Sequence, residues 1–200
     1  MTDLQQIAEE VRSCTKCALH QGRTNAVPGE GAGNSSVMFI GEGPGFYEDR
    51  EGRPFVGPAG KFLEQLLKSI NMKRTDVYIA NMVKCRPINN RDPLPIEIQE
   101  CAPYLDRQIE IVNPKIIVTL GRHALSKFFP NESIMRARGK PRKISGDRIV
   151  YPILHPAAAL HRQDLRATIE TDFLTIPELL QSTPSETVPT DESPKQLNLF

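Results

Sequence analysis

Short runs of consecutive apolar residues alternate along this chain with stretches whose apolar residues recur every three or four positions. Residues 37–40, 77–80, 115–120 and 148–154 are runs of the first kind. They are too short for buried helices and read as strands. Because they do not alternate apolar with polar, both faces of the sheet they form should be covered. Between them, Phe62, Leu63, Leu66, Leu67 and Ile70 share one face of a helix predicted over 59–70. Helices are also predicted over 4–12, 95–112, 122–129 and 165–180, the second with Pro95 in its first turn, where a missing N–H does no harm. Strands separated by helices predict an α/β fold, a three-layer α/β/α sandwich around a four-stranded parallel sheet. Residues 1–180 should form that domain. Residues 181–200 carry three prolines in their first part and almost no apolar residues there, so they are expected to be a disordered tail.

Two hundred residues at 39 % hydrophobic suffice for one packed core. No run approaches the ~18 apolar residues of a membrane helix. The first residues show neither the basic start nor the apolar run of a secretory signal, which predicts a cytoplasmic protein without membrane contact. The net charge of +1 does not announce a nucleic-acid binder, but its distribution is uneven: the last 20 residues carry −2, leaving +3 on residues 1–180. Arg136, Arg138, Lys140, Arg142 and Lys143 crowd together with no intervening acid. That cluster suits phosphate contact, or it is a solvated basic loop.

Four cysteines carry the first chemical signal: Cys14, Cys17, Cys85 and Cys101. One close C-x2-C pair and no leftover thiol implies either two disulfides or one four-thiolate metal site. A reducing compartment disfavours the disulfides. Four thiolates suit zinc or an iron–sulfur cluster, and either would staple the N-terminal segment to a distant loop.

The strand ends carry the second signal. The first strand ends in Gly41-Glu42-Gly43-Pro44-Gly45, the second at Asn81 with a run to Cys85, the third at Gly121-Arg122 and the fourth at His155-Pro156-Ala157. In parallel α/β sheets ligands bind beyond the carboxyl ends of the strands, so these segments should converge on one rim. The glycine loop is not a dinucleotide fingerprint, since Phe46 stands where the last glycine belongs, and no Gly-Lys-Ser/Thr follows for a P-loop. Taken singly, the loop could be a tight turn, Asn81 a strand cap and His155 a structural histidine.

Together with Gly52-Arg53-Pro54-Phe55-Val56-Gly57, Asn81-Met82-Val83-Lys84-Cys85-Arg86-Pro87, Thr119-Leu120-Gly121 and the four cysteines, these segments resemble the family-four uracil-DNA glycosylases, the iron–sulfur branch of that superfamily. The resemblance covers about residues 10–180. It implies a 4Fe–4S cluster on Cys14, Cys17, Cys85 and Cys101, and excision of uracil from single- or double-stranded DNA by a monomer working on the bacterial nucleoid. It implies uracil contacts at Gly41, Phe55, Asn81 and His155. A covalent uracil-trapping branch of the superfamily is similar, but its His-bearing insert is replaced here by Asn89-Asn90-Arg91-Asp92-Pro93-Leu94, so turnover is expected. A redox carrier or a non-catalytic DNA-binding module are the readings from other classes.

The chemistry assigns roles. A flipped uracil needs a stacking face, an edge reader, a stabiliser for its leaving charge and a placed water. Phe55, expected exposed in a glycine–proline loop, offers the face. Asn81 can accept from uracil N3–H and donate to O4, a pattern that cytosine inverts. His155 can stabilise charge on O2, and Glu42 or Glu48 can hold the water. The better-known branch has Gly-Gln-Asp-Pro-Tyr where this chain has Gly43 and Gly45 at the Asp and Tyr positions, so Glu48 is also the candidate to exclude a thymine methyl. Lys84, beside Asn81 and Cys85, suits a backbone-supporting role. Leu160 is expected to fill the space left by the flipped base, with Arg136, Arg138, Lys140, Arg142, Arg162 and Arg166 on phosphates. The chain closes on Gln196-Leu197-Asn198-Leu199-Phe200, in which Gln196, Leu197, Leu199 and Phe200 resemble the short peptide by which bacterial repair proteins bind the sliding clamp.

Overall fold

The computed structural model describes residues 2–144 and 146–182. The predicted tail and its clamp-binding-like residues Gln196, Leu197, Leu199 and Phe200 lie outside the described residues. Among the described residues six strands form one sheet: β1 (Glu30–Gly31), β2 (Val37–Gly41), β3 (Tyr78–Asn81), β4 (Ile116–Leu120), β5 (Arg142–Lys143) and β6 (Ile149–Ile153). Their order is β1-β3-β2-β4-β6-β5. The central four are parallel, as the apolar runs predict. Two short antiparallel strands, β1 and β5, extend the edges. Neither carries an apolar run, because each is only a two-residue edge strand, which corrects the expected strand number from four to six.

The helices are α1 (Asp3–Ser13), α2 (Leu19–Gly22), α3 (Phe46–Glu51), α4 (Pro58–Ser69), α5 (Pro95–Val112), α6 (Gly121–Ser126), α7 (Ile134–Ala137), α8 (Ala158–His161), α9 (Asp164–Leu174) and α10 (Ile176–Ser182). The single helix expected over 165–180 is divided at Thr175. Pro177 cannot donate to the carbonyl four residues back, so the hydrogen-bond ladder is interrupted there. No helix among the described residues is long and apolar enough to cross a membrane.

Each central strand is buried along its whole length because helices cover both faces. Phe39, Ile79, Val118 and Tyr151 point to the side of α4 and α9, where Phe39 stacks on Phe173 at 5.6 Å. Met38, Ile40, Ala80, Ile117 and Val150 point to the other side, against Leu105 and Ile109 of α5. Burying each such large side chain contributes about 1.5–3 kcal/mol. A third cluster joins Ile7 and Val11 of α1 to Tyr104 of α5 around Cys85 and Cys101. The chain runs from β2 to β3 on one side and then returns to β4 on the other, so the order reverses at β2. Such a switch point opens a crevice beyond the strands' carboxyl ends.

Candidate active site

The crevice is present and is built by the strand-end segments. A cleft of 790 Å³ is lined by Glu42, Gly43, Pro44 and Gly45 after β2, Asn81 at the end of β3, Arg122 after β4 and His155, Ala157 and Ala158 after β6. Glu48, Phe55, Arg91 and His161 complete its walls, and it is far larger than one pyrimidine ring. All four predicted strand-end segments therefore meet at the cleft, the third through Arg122.

Parallel pairing sets Gly41 opposite Asn81. A Cβ at position 41 would lie 2.4 Å from Asn81 Oδ1 and 2.8 Å from the Phe55 ring, so glycine is what lets both side chains close over β2. Asn81 is 2 % exposed, and its Oδ1 has no hydrogen-bond partner among the described residues. A buried orphan acceptor costs about 1–3 kcal/mol, which a ligand donor would recover.

Phe55 is buried, not exposed as its loop composition suggests. Its φ is +52°, a left-handed conformation that costs a bulky residue about 1–3 kcal/mol. Arg74 holds the turn, its guanidinium donating to the Phe55 carbonyl at 2.9 Å and to the Pro54 carbonyl. The strained turn swings the ring inward to face His155, centroid to centroid 5.5 Å.

His155 accepts a hydrogen bond at Nδ1 from the Ala157 N–H at 3.1 Å. Burial lowers its pKa to about 4, against the opposing pull of Glu48. The ring is therefore neutral at pH 7 with its proton on Nε2, which leaves an N–H donor for a ligand oxygen. Gly121, at φ +87°, lies behind it; a Cβ there would come within 3.1 Å of the His155 Cβ.

The two candidate carboxylates differ. Glu48 Oε1 accepts from the N–H groups of Val56 and Gly57 at 3.1 and 3.0 Å, and Oε2 accepts from Gly45 at 3.1 Å. It latches the glycine loop to the Phe55 loop. Glu42 faces the cleft with no backbone donor among the described residues, and burial raises its pKa. Behind it stand His123, whose Nε2 is 3.7 Å from Glu42 Oε2, and Asp92, whose Oδ1 is 3.3 Å from the same Nε2. Sequence reasoning missed His123 and Asp92. The signal available was only that both flank predicted motif segments, His123 two residues after Gly121.

Cys14, Cys17, Cys85 and Cys101 line one small cavity with Val11, Lys84 and Tyr104. None of the four is in a disulfide. The Arg23 guanidinium donates to Cys85 Sγ at 3.0 Å and the Lys84 N–H to Cys101 Sγ at 3.2 Å. Burial raises the thiol pKa of Cys17 and Cys85, and that of Cys101 to about 11. Four converging sulfurs with hydrogen-bond donors already aimed at two of them fit a four-thiolate metal centre. Lys84 is fully buried, and its Nζ donates to the Asn81 carbonyl at 2.9 Å and to Gln108 at 2.6 Å, tying the thiol centre to Asn81.

The basic residues are mostly engaged. Arg138 makes a bidentate pair with buried Asp172 at 2.9 and 2.6 Å, Arg142 pairs with Glu132, Arg162 with Asp164 and Arg166 with Glu170. Lys140 is exposed, and so is Leu160 on α8, beside the cleft residues Ala158 and His161. Exposed Phe46 and Tyr47 follow the glycine loop, with the Arg86 guanidinium 5.2 Å over the Phe46 ring.

Residues 28–175 match the model of the uracil DNA glycosylase superfamily. A type-4 uracil-DNA glycosylase of Sulfurisphaera tokodaii is 54 % identical over 188 residues, covering 90 % of this chain and 86 % of that protein. Its counterpart in Saccharolobus solfataricus is 52 % identical over 92 % of this chain and 89 % of its own length. That of Archaeoglobus fulgidus is 46 % identical over 90 % of this chain and 94 % of its own. With a superfamily match spanning most of the domain and type-4 relatives at this identity, the chain belongs to the uracil-DNA glycosylase superfamily, in its type-4 branch.

Proposed function

We infer that this chain hydrolyses the N-glycosidic bond of uracil in DNA, releasing the base and leaving an abasic site, as the first step of base excision repair. The observation that carries the reading is the buried, unpartnered Asn81 Oδ1 at the floor of a cleft on the sheet's switch point. Uracil N3–H supplies the missing donor, and the Asn81 amide N–H meets O4. Cytosine presents an acceptor at N3 and an amino group at position 4, so a fixed amide leaves buried groups unpaired and rejects it. Phe55 supplies the stacking face.

As the bond between C1′ and N1 breaks, its electron pair moves into the ring toward O2. The neutral His155, with Nε2–H free, donates to that oxygen. The sugar becomes oxocarbenium-like. Glu42 accepts a hydrogen bond from the attacking water, places it and compensates the positive charge. The water oxygen bonds to C1′ and its proton passes to Glu42 or to the departing uracil anion. Glu48, already accepting three backbone N–H bonds, shapes the wall beside the base and is the candidate barrier to a thymine methyl.

Cys14, Cys17, Cys85 and Cys101 would hold a 4Fe–4S cluster. When bound, the cluster cross-links the segment after α1 to the loop after β3 and to α5, and so fixes the Asn81 loop. Lys84 faces the thiol cavity and not the uracil cleft, so no lysine among the described residues lines the cleft to form a Schiff base and strand scission is not expected. Leu160 fills the gap in the duplex, and Lys140 with Arg142 and Arg162 approaches phosphates, whereas Arg138 is held by buried Asp172. The closing residues Gln196, Leu197, Leu199 and Phe200 tether the enzyme to a sliding clamp.

The test is uracil release from single-stranded and duplex DNA by the wild-type protein and by Asn81→Asp. Wild-type release, with at least a hundredfold loss in the variant, supports the reading. No release by the wild type, or full activity in the variant, overturns it.

A further inference from the structure

Glu42 and Asp92 direct carboxylate oxygens at the same nitrogen, His123 Nε2, from 3.7 and 3.3 Å. Two carboxylates this close repel unless a donor stands between them. Nε2 faces both and is therefore the nitrogen that carries the proton. It is buried and makes no hydrogen bond among the described residues, so the two nearby carboxylates are what its N–H can serve.

The partners of Glu42 come from two separate elements. His123 and Arg122 come from α6, directly after β4. Asp92 comes from the loop before α5, where Arg91 is clamped to buried Glu97 at 2.9 and 2.6 Å and Glu97 also accepts from the Leu94 N–H at 2.7 Å. The backbone that presents Asp92 is thus pinned on either side. Arg122 closes the set, donating to Asp92 Oδ2 at 2.5 Å. Arg122 also lines the cleft, whereas His123 and Asp92 do not.

We propose that His123, held by Asp92 and Arg122, is the positioning residue that orients the Glu42 carboxylate toward the attacking water and keeps it ionised. This rests on the reading that Glu42 holds that water. The charges facing Glu42 are those of His123 and Arg122, which favour its ionised form, and of Asp92, which opposes it, all against a burial that disfavours the charge. The carboxylate stays usable at neutral pH because a donor supports it from behind. The sign follows for each member. Removing His123 takes away support, so the acid limb of the rate profile moves to higher pH. Removing the Asp92 charge takes away repulsion and frees both Arg122 and the His123 N–H, so that limb moves to lower pH.

The experiment is the single-turnover rate of uracil release from single-stranded uracil DNA between pH 4 and 9, at saturating protein. It compares wild type, His123→Ala, His123→Gln, Asp92→Asn and Glu42→Gln, with thermal melts and product-uracil affinity recorded alongside. His123→Ala should lose about tenfold in rate, the order expected for a partly buried charge contact at ion-pair distance, with uracil affinity unchanged. Its acid limb should move up, His123→Gln should restore part of the rate by returning an N–H, and Asp92→Asn should move the limb down. Opposite shifts at two residues that do not line the cleft are not expected of packing damage. An inactive Glu42→Gln beside a His123→Ala whose profile matches wild type overturns this inference alone. A fully active Glu42→Gln overturns the assignment of the water to Glu42, and the inference with it.

Discussion

Gly41→Ala is the most demanding test of the cleft geometry, because it adds one methyl group and no charge. Gly41 lies in extended strand backbone, so the substitution brings no left-handed strain. The new Cβ would stand 2.4 Å from Asn81 Oδ1, and 2.8 and 2.9 Å from two atoms of the Phe55 ring. Ordinary contact begins at 3.4 Å, so the Asn81 amide must retreat by about 1 Å and the ring by somewhat less. Neither moves freely. The Asn81 carbonyl is held by Lys84, and the Phe55 carbonyl by Arg74. Overpacking of this kind costs about 1–3 kcal/mol of stability, and a 1 Å misplacement of a substrate-positioning group costs about a hundredfold in rate. Uracil release should therefore fall by roughly two orders of magnitude while the protein remains folded at 25 °C, a separation that a thermal melt and single-turnover kinetics on the same preparation would record. Wild-type kinetics in a folded Gly41→Ala protein would refute the claim that Asn81 and Phe55 meet over β2.

Protein purified without oxygen should be brown, with broad thiolate-to-iron absorption near roughly 400 nm, and should lose thermal stability when the iron is removed; a colourless protein with one equivalent of zinc contradicts the cluster. Burial holds the pKa of His155 down to about 4, below the ~6.5 of an unfolded chain, so the unfolded state binds the extra proton first. His155 thus costs no stability above ~6.5 and favours unfolding progressively as the pH falls toward about 4; urea midpoints at pH 7 and 4.5 should drop more in the wild type than in His155→Asn, and equal drops would contradict the burial argument. Deleting residues 196–200 should abolish binding to a bacterial sliding clamp, expected near micromolar for a short peptide, and leave uracil release unchanged; equal clamp binding without the five residues would dismiss the tether.

The sequence by itself determined the layers. Unbroken apolar runs such as 37–40 and 115–120 can be satisfied only by a sheet covered on both faces, and the helical spacing of Phe62, Leu63, Leu66 and Leu67 supplies one cover. It also determined that polar and glycine-rich segments sit at the strand ends, which in a parallel sheet is one rim. These properties are local, since each is written in the period or composition of a few neighbouring residues. Contacts between distant segments were decided by the tertiary structure. Phe55 turns inward because Arg74, nineteen residues on, grips its carbonyl. Glu48 has both oxygens occupied because the Phe55 loop folds back over the glycine loop. Arg138, read from charge as a phosphate contact, is engaged by Asp172 of α9. The meeting of Glu42, Asp92 and His123 has no signature in any single segment, for it exists only because the chain reverses at β2 and sets the segments after β2, β3 and β4 side by side.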